Sequence, residues 1–215
     1  MPMAEEITED WLKAHSSPTS GILSELEAET AIKFPNASRM LTGYSQGRLL
    51  SLFSHLLKPE RILEIGTFTG YGSLCLAEGL SPTGTLITLE NKEEQAEIAS
   101  AFFHKSRYAS RIKIIVGDAL NSLEQLEETW DLVYIDANKS SNKIYLEKIW
   151  PALRCGGIAM VDNVFARGAV LKPSSEQRGF EKSVTAFNKE LPSLFPDAEL
   201  IVLPIRDGLS ILRKT

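Results

Sequence analysis

The sequence predicts an α/β fold in which a mostly parallel sheet, covered by helices on both faces, ends in an antiparallel pair of strands. From Arg61 onward, strand-like and helix-like segments alternate, which is typical of βαβ units. Before Arg61 the apolar residues recur with a helical period. The tail "AELIVLPIRDGLSILRKT" holds two strand-like runs that are too close for a helical crossover. Because parallel strands need such a crossover, this last pair should be antiparallel.

The segment before the sheet, residues 1–58, is predicted to form three helices, at about Glu5–Ala14, Gly21–Lys33 and Ser45–Leu57. The third helix should stop before Pro59. The second has apolar residues spaced for a single buried face: Ile22, Leu23, Leu26 and Ile32. Together with a core at 61–215, these helices should form one domain spanning 1–215.

Within the core, the alternation predicts five strands before the tail and a helix after each. The strands are Arg61–Ile65, Thr85–Glu90, Ile112–Val116, Leu132–Ile135 and Gly157–Val161. The helices should begin near Tyr71, Lys92, Ala119 and Asn142, with a further helix at about Ser175–Leu191.

Composition narrows the class of protein. With 215 residues, 43% hydrophobic and 24% charged, the chain is that of an ordinary soluble globular protein. A net charge of −5 gives no broad attraction to nucleic-acid phosphates or anionic lipids. The N-terminus is acidic and lacks the apolar stretch of a signal peptide, and no apolar run suits a membrane span. The two cysteines favour reduced thiols over disulfides. A cytoplasmic protein is expected, without membrane contact.

Glycines and acidic residues gather where the first three strands end. The turn after the first strand contains three glycines, Gly66, Gly70 and Gly72, which let main chain approach a ligand closely. Glu64 lies in the end of that strand, and Glu90 closes the second, where a carboxylate can accept both hydroxyls of a ribose. Asp118 and Ala119 follow the third strand. Singly, Glu90 or Asp118 could be only a helix cap; in combination they favour a cofactor site.

The next two strands end on hard oxygen donors. Asp136 follows the strand in "DLVYIDANK", and Asp162 and Asn163 follow the one in "GGIAMVDNV". A doubly wound sheet should place these strands side by side, and three such oxygens suit Mg²⁺ or a similar cation. Without a metal the two aspartates would repel each other and one pKa would rise. The alternative is that both only cap the following segments, although a cap needs no third oxygen.

The ordered motifs "EIGTFTGYG", "LITLE", "GDAL", "YIDANK" and "VDNV" resemble the S-adenosylmethionine-dependent, cation-dependent O-methyltransferases of the catechol and caffeoyl-CoA type. The resemblance runs from Met40 to the final "DGLSILRK". It implies the Rossmann-like fold of class I methyltransferases, with seven strands and an antiparallel last strand. This agrees with the antiparallel pair of strands that the tail predicts.

The resemblance also implies a cofactor, a cation and an acceptor: S-adenosylmethionine, Mg²⁺ and a small aromatic vicinal diol. Transferred by position, the residues at the cofactor, from its sulfonium to its adenine, would be Met40, Thr42, Glu64, Gly66, Glu90, Asp118 and Ala119. The metal ligands would be Asp136, Asp162 and Asn163. Lys139 resembles the family's lysine that takes or orients the hydroxyl proton.

Several positions depart from the family pattern. Gly72 stands where a serine usually grips the methionine carboxylate, so Ser73 or main-chain N–H groups would substitute. Asn138 and Ser141 replace a carboxylate and an asparagine beside the metal ligands. Ser210 stands where the catechol enzymes carry a glutamate, which favours the caffeoyl-CoA-like bacterial branch.

The sequence is compatible with more than one acceptor. The loop after Asn163 should wall its pocket, with Phe165 and Arg167 as contacts. A hydroxylated tRNA base, the acceptor of some relatives, would require a basic surface, for which the candidates are Lys143, Lys148, Arg167, Lys172 and Arg178. Gly72 and the altered "DANKSS" loop suggest a third possibility, a cofactor-binding module that no longer methylates. Relatives of this kind usually form homodimers, and the N-terminal helices offer apolar surface for one.

Overall fold

A single seven-stranded sheet organises the molecule, which we describe from a computed structural model covering residues 8–215. The strands are β1 Arg61–Ile65, β2 Thr85–Glu90, β3 Ile112–Val116, β4 Trp130–Ile135, β5 Leu153–Asp162, β6 Ala198–Leu203 and β7 Leu209–Lys214. Their order across the sheet is β3-β2-β1-β4-β5-β7-β6. Strands β1 to β5 pair in parallel, whereas β7 is antiparallel to both β5 and β6. The predicted fold, including its antiparallel hairpin, is confirmed.

Helices cover both faces of the sheet. They are α1 Glu9–Ala14, α2 Gly21–Lys33, α3 Tyr44–Leu57, α4 Tyr71–Ala77, α5 Glu93–Lys105, α6 Ala119–Leu123, α7 Asn142–Ile149 and α8 Gly179–Leu194. The apolar side chains of α2 to α5 pack against one face of the sheet. Those of α6, α7 and α8 pack against the other.

Most predicted elements lie where the pattern placed them, and the differences have local causes. The first predicted helix extends before residue 8, and that part lies outside the described residues. On α2 the prediction for Ile32 is wrong: it is 74% exposed, and Thr30 is buried on the inner face instead. The Thr30 hydroxyl shares a 2.8 Å hydrogen bond with that of Thr69, which satisfies the buried polar group. Helix α8 begins at Gly179, later than predicted, because the preceding residues form turns.

The alternation of side chains along each strand decides which polar groups meet. In β1, Ile62 packs on the α2–α5 face and Leu63 on the opposite face, so Glu64 faces the same side as Ile62. Register aligns Glu64 with Tyr134 on β4 and Tyr134 with Met160 on β5. The carboxyl ends of these three strands therefore present their polar side chains towards α3 and α4. No helix within residues 8–215 is long and apolar enough to cross a lipid bilayer.

The contact between α3 and the turn after α4 is close enough to require a glycine. A Cβ atom on Gly79 would lie 2.1 Å from the carbonyl carbon of Ser54 and 2.2 Å from the amide nitrogen of His55. Both are main-chain atoms of a helix and cannot move aside individually. The glycine therefore sets how closely the helices pack.

We expect Gly79→Ala to lower the free energy of unfolding by about 3 kcal/mol, because the methyl group forces the helices apart. Gly21→Ala is the matched control: a Cβ there meets nothing within 4 Å, and alanine suits a helix, so stability should hold or rise by up to about 1 kcal/mol. Urea denaturation of both variants measures the difference. Equal stabilities would contradict the packing argument.

Candidate active site

The structure brings the two predicted metal-binding carboxylates to the same edge of the sheet. Ile135 of β4 pairs with Val161 of β5, so Asp136 and Asp162, one residue further on, lie at the same level. The hydroxyl of Tyr134 lies 2.9 Å from Oδ2 of Asp162 and 3.5 Å from Oδ2 of Asp136. A single phenol thus spans both carboxylates.

Asp162 is held from three directions. Its Oδ2 accepts hydrogen bonds from Nε2 of Gln46 at 2.7 Å and from the Tyr134 hydroxyl. Its Oδ1 accepts from the main-chain N–H of Asn163 at 2.6 Å. Because Gln46 comes from α3, the orientation of this carboxylate depends on helix packing as well as on the strand that carries it.

Burial and like charge make the ionised forms costly here. Desolvation, followed by repulsion from Asp136, raises the pKa of Asp162 above its ordinary value. Burial and the neighbouring carboxylates likewise raise the pKa of Tyr134, so its hydroxyl stays protonated and can donate. Lys139 forms a salt bridge with Oδ1 of Asp136 and opposes part of the repulsion.

The donor set fits a hard divalent cation. Asp136, Asp162 and Asn163 all line one cavity, and carboxylate and amide oxygens suit Mg²⁺. Asn163 adopts a left-handed conformation, with φ of +59°, a conformation that asparagine tolerates better than most residues. Within residues 8–215 no three His, Cys, Asp or Glu side chains gather as a metal site, so the third protein ligand would be the Asn163 amide.

The cavity has a main chamber and a smaller recess. The main chamber, of about 790 Å³, is lined by residues from the predicted metal, cofactor and acceptor regions, including Met40, Thr42, Gly66, Lys139 and Arg167. The recess, of about 190 Å³, is lined by Glu90, Asp118 and Ala119 among others. Met40, Gly66 and Asp136 line both, so the two spaces adjoin along these residues.

Glu64 is a buried carboxylate next to Gly72, and it is not among the residues that line the chamber or the recess. It is 1% exposed and forms no salt bridge within the described part of the chain. Its Oε2 accepts from the Ser73 hydroxyl and from the Thr88 hydroxyl, the latter at 2.6 Å. Burial nevertheless raises the pKa of Glu64 to about 8, although both hydrogen bonds lower it. A buried acid without a basic partner suits a cationic ligand group such as the ammonium of a methionine moiety.

Of the two predicted substitutes for a serine at position 72, Ser73 is engaged elsewhere. It is fully buried, and its hydroxyl donates to Glu64 because its position on α4 faces the sheet. A Cβ on Gly72 would lie 2.6 Å from Oε1 of Glu64 and 3.1 Å from Oγ1 of Thr42. The Thr42 side chain, which lines the chamber, therefore brings a hydroxyl close to the position that a serine side chain would occupy.

The other two glycines of the turn have packing roles. A Cβ on Gly66, whose φ is +100°, would lie 2.1 Å from the carbonyl oxygen of Asp136. A Cβ on Gly70, whose φ is +95°, would lie 2.6 Å from the ring of Phe103. Gly66 lines the chamber. Gly70 is buried against α5 instead, so close packing with Phe103 explains why position 70 is a glycine.

Glu90 and Asp118 both bind main-chain N–H groups. Oε2 of Glu90 accepts from Phe68 at 2.7 Å, and its Oε1 accepts from the two residues that follow it. Asp118 caps α6 by accepting from Leu120 and Asn121 at 3.0 and 3.1 Å. The capping alternative is therefore correct for Asp118. Asp118 also lines the recess, so the cap is compatible with the predicted contact to a ligand.

One predicted acceptor contact, Phe165, is not among the lining residues, and other lining residues were not predicted. Phe165 packs against Gly208, while Arg167 lines the chamber as predicted. Ser210 is buried in β7 opposite Val161. The sequence reasoning missed Gln46 and Tyr134, which orient Asp162, and the aromatic lining residues Phe68, Tyr71 and Phe180. A tyrosine two residues before Asp136 in a buried strand was the available signal, since its hydroxyl must find a partner.

Comparison with known proteins settles the family. A family model described as O-methyltransferase matches residues 13–215. The chain belongs to this O-methyltransferase family. It is 34% identical over 156 residues to a catechol O-methyltransferase of Mycobacterium tuberculosis, covering 72% of this chain and 70% of that protein. It is 31% identical over 189 residues to a caffeoyl-CoA O-methyltransferase of Stellaria longipes, covering 82% and 77%.

Solved structures support the fold and the cofactor. A Podospora anserina methyltransferase bound to S-adenosylhomocysteine has a TM-score of 0.87 and 29% identity, covering 96% of this chain and 93% of that one. A Bacillus cereus O-methyltransferase, in complex with the same product, has a TM-score of 0.85 and 27% identity, covering 96% of each chain. This member of the family is therefore an S-adenosylmethionine-dependent O-methyltransferase.

The buried Glu64 predicts an unusual pH dependence of stability in the cofactor-free protein. Between its ordinary pKa of 4.5 and about 8, the unfolded chain has released the proton while the folded chain retains it. The free energy of unfolding contributed by this residue should therefore fall as pH rises, by up to about 1.4 kcal/mol per pH unit. Glu64→Gln removes this slope, so the variant should gain stability relative to the unsubstituted protein at pH 8 but little at pH 5.

Urea denaturation at both pH values measures this effect. Glu97→Gln is the control, since Glu97 is exposed on α5 and its substitution should leave the pH profile unchanged. If Glu64→Gln and Glu97→Gln gave parallel profiles, the Glu64 carboxyl would not be held protonated.

Proposed function

We propose that the protein is a cation-dependent O-methyltransferase that transfers the methyl group of S-adenosylmethionine to one hydroxyl of a small aromatic vicinal diol. The observation that carries this proposal is the side-by-side placement of Asp136 and Asp162, with Asn163 and Lys139, on the wall of one cavity. The catechol and caffeoyl-CoA enzymes among its relatives support an aromatic acceptor.

The ligands of the cation would be the side-chain oxygens of Asp136, Asp162 and Asn163. A divalent cation bound by them would lower the pKa of a hydroxyl and hold two neighbouring oxygens of the acceptor. Gln46 and Tyr134 keep the Asp162 carboxylate in one orientation by donating to it. Such support for a ligating carboxylate is typical of metal sites.

The cofactor would extend from the chamber into the smaller recess. S-adenosylmethionine supplies an activated methyl group on a cationic sulfur. Glu64 and Thr42 would bind the amino-acid end, Met40 and Gly66 the sulfonium end, and Glu90 the ribose. Asp118 and Ala119 would lie beside the adenine. The Thr42 hydroxyl would take the place of the serine missing at Gly72, which removes one reason to regard the protein as a module without methyl-transfer activity.

Lys139 is the candidate for the proton transfer, and Asp136 would orient it. Its ammonium is bound to Oδ1 of Asp136 on the chamber wall, within reach of an acceptor held at the carboxylates. In the neutral form an amine can accept a hydroxyl proton, and in the charged form it stabilises the resulting oxyanion. Either role would prepare the acceptor oxygen to attack the methyl group. The orientation of that oxygen towards the cofactor contributes much of the rate.

Aromatic side chains on the wall of the chamber would contact the acceptor. Phe68, Tyr71 and Phe180 line this space, and Phe180 is 41% exposed. Flat rings favour stacking with an aromatic diol. These residues support a planar acceptor over an aliphatic one.

A tRNA acceptor receives less support from the surface. Of the five basic candidates, Lys143 pairs with Glu190 at 2.6 Å and Lys148 pairs with Glu124 at 2.9 Å. The main-chain N–H of Arg178 donates to the carboxylate of Glu181 at 2.8 Å, which leaves the Arg178 guanidinium available. Of these five, Arg167, Lys172 and Arg178 then remain as candidates for phosphate contacts, and three charges give weak electrostatic binding to RNA.

We also propose that the protein forms a homodimer through its N-terminal helices. Leu52 and Leu56 of α3, Ile32 of α2 and Trp11 of α1 are large apolar side chains that are at least half exposed. Exposed apolar residues on neighbouring helices favour protein–protein contact. Light scattering after size-exclusion chromatography would show twice the chain mass of 23.8 kDa.

The function is tested with purified protein, labelled S-adenosylmethionine, Mg²⁺ and a panel of catechols and caffeoyl thioesters. We expect methyl transfer to at least one diol, its loss in EDTA and its recovery on adding Mg²⁺. Asp162→Ala should lower turnover at least about 100-fold, because the buried site loses a charged ligand. Transfer that persists in EDTA would reject the role of the cation, and transfer only to a hydroxylated tRNA would replace the acceptor.

Lys139→Met tests the proton-transfer role and should lower turnover about 10²- to 10⁴-fold, the range expected for loss of a general base. Its control is Lys143→Met, which removes a lysine that is paired with Glu190 on the surface and should leave turnover unchanged. Initial rates at saturating acceptor measure both variants. Equal rates for Lys139→Met and the unsubstituted protein would remove Lys139 from the mechanism.

A further inference from the structure

The turn between β6 and β7 holds a backbone conformation that arginine rarely adopts. Arg206 has a φ of +48°, in the left-handed region that glycine occupies at little cost. A non-glycine residue kept in that region commonly marks a place where the side chain has a function. The contacts of the Arg206 guanidinium are specific and join two parts of the chain.

The guanidinium binds the main chain of the segment between α2 and α3. Its Nη1 donates to the carbonyl oxygen of Leu41 at 2.6 Å, and its Nη2 lies 3.4 Å from the carbonyl oxygen of Arg39. It also lies across Gly43, where a Cβ would be 2.6 Å from Nη1. Gly43 has a φ of +76°, so a side chain at that position would be doubly unfavourable. The arginine and the glycine therefore fit together.

The same turn is bound to the segment that follows the candidate metal ligands. The N–H of Phe165 donates to the carbonyl oxygen of Asp207 at 2.8 Å, and the N–H of Arg167 donates to Oδ1 of Asp207 at 2.7 Å. Gly208 packs directly against the Phe165 ring. One turn is thus joined on one side to the strand end that carries Asp162, and on the other, through Arg206, to the segment 39–43.

We propose that Arg206 is a positioning residue that fastens segment 39–43 over the cavity and so sets the place of the cofactor relative to the carboxylates. The inference rests on the proposed function, because Met40 and Thr42, on either side of Leu41, are the residues assigned to the sulfonium and methionine ends. Arg206, Met40 and Thr42 all line the chamber. The guanidinium donates to main-chain carbonyl oxygens of this segment, so it would act through the main chain of Leu41.

This connection has a chemical consequence, since the methyl donor and the acceptor are held by different parts of the chain. The acceptor would be held at the ends of β4 and β5. The sulfonium end would be held partly by segment 39–43, which contains the end of a short 3₁₀ helix, Ser38–Met40, and the residues that follow it. Methyl transfer depends steeply on the distance and angle between the two. A hydrogen bond from a cationic donor to a carbonyl oxygen is strong. The bond from Arg206 to Leu41 therefore holds segment 39–43 against the β6–β7 hairpin.

Arg206→Gly separates this role from a contribution to stability. Glycine adopts the left-handed backbone conformation without strain, and this gain in stability offsets its greater conformational entropy in the unfolded chain. The melting temperature of the variant should therefore stay within about 3 °C of that of the unsubstituted protein. The loss of the bond to Leu41 should weaken binding of S-adenosylhomocysteine about tenfold. It should also speed hydrogen exchange at the amides of Met40 and Leu41, which bond only to Ala37 and Ser38 nearby.

The control is Arg213→Ala, which removes an arginine of the same hairpin whose guanidinium bonds to Glu199 on the surface. It should change neither affinity nor exchange in segment 39–43. Calorimetric titration with S-adenosylhomocysteine and hydrogen-exchange mass spectrometry of the cofactor-free protein measure both variants, and neither needs a known acceptor.

The outcomes separate this inference from the proposed function. Unchanged affinity and unchanged exchange in Arg206→Gly would overturn the positioning role, as would faster exchange spread over the whole sheet, which would indicate a loss of stability only. If the unsubstituted protein bound no S-adenosylhomocysteine, the cofactor assignment would fail, and the exchange of segment 39–43 would still decide whether Arg206 fastens it. Normal binding together with an absence of transfer to any diol would reject the acceptor and leave the role of Arg206 intact.

Discussion

Two like charges, Asp136 and Asp162, are held together at the carboxyl edge of the sheet, and the arrangement around them follows from that constraint. Removal from water and repulsion from Asp136 both oppose the ionisation of Asp162 and raise its pKa. The structure offsets this cost with donors: Gln46 and Tyr134 at Asp162, and Lys139 at Asp136. A divalent cation would complete the compensation, and its affinity for the site would come from the charge that folding has concentrated there.

Strand register and side-chain alternation explain why the compensating groups are available. One face of the sheet carries Glu64 and Tyr134, which are paired in register on neighbouring strands. The same face carries Asp136 and Asp162, because each lies two residues beyond a residue of the register pair Tyr134 and Met160. Helix α3 packs on this face and brings Gln46 to the carboxylate. The hairpin of β6 and β7 completes the enclosure through its turn, which contacts the segments on both sides of the chamber. The site is therefore assembled from the sheet, a helix and two irregular segments, each held by named hydrogen bonds.

The contacts around α4 explain one departure from the family pattern, the glycine at position 72. Gly72 leaves room for the Glu64 carboxylate and the Thr42 hydroxyl, which a Cβ atom at that position would crowd. Ser73, although adjacent in sequence, lies one helical step further round α4 and binds Glu64 instead. Thr42 is therefore the residue whose hydroxyl lies nearest to the position that a serine side chain at 72 would occupy.

The sequence alone determined the order of helices and strands, the parallel core with its antiparallel hairpin, and the placement of polar residues at strand ends. Hydrophobic period, glycine turns and connection length are local or near-local quantities, so they can be read without a structure. It did not determine that Ile32 is exposed, that Gly70 packs against Phe103, that Gln46 and Tyr134 bind Asp162, or that Arg206 binds Leu41. Those facts depend on contacts between residues up to 165 positions apart, and only the packing of the folded chain decides which distant side chain meets a given strand end.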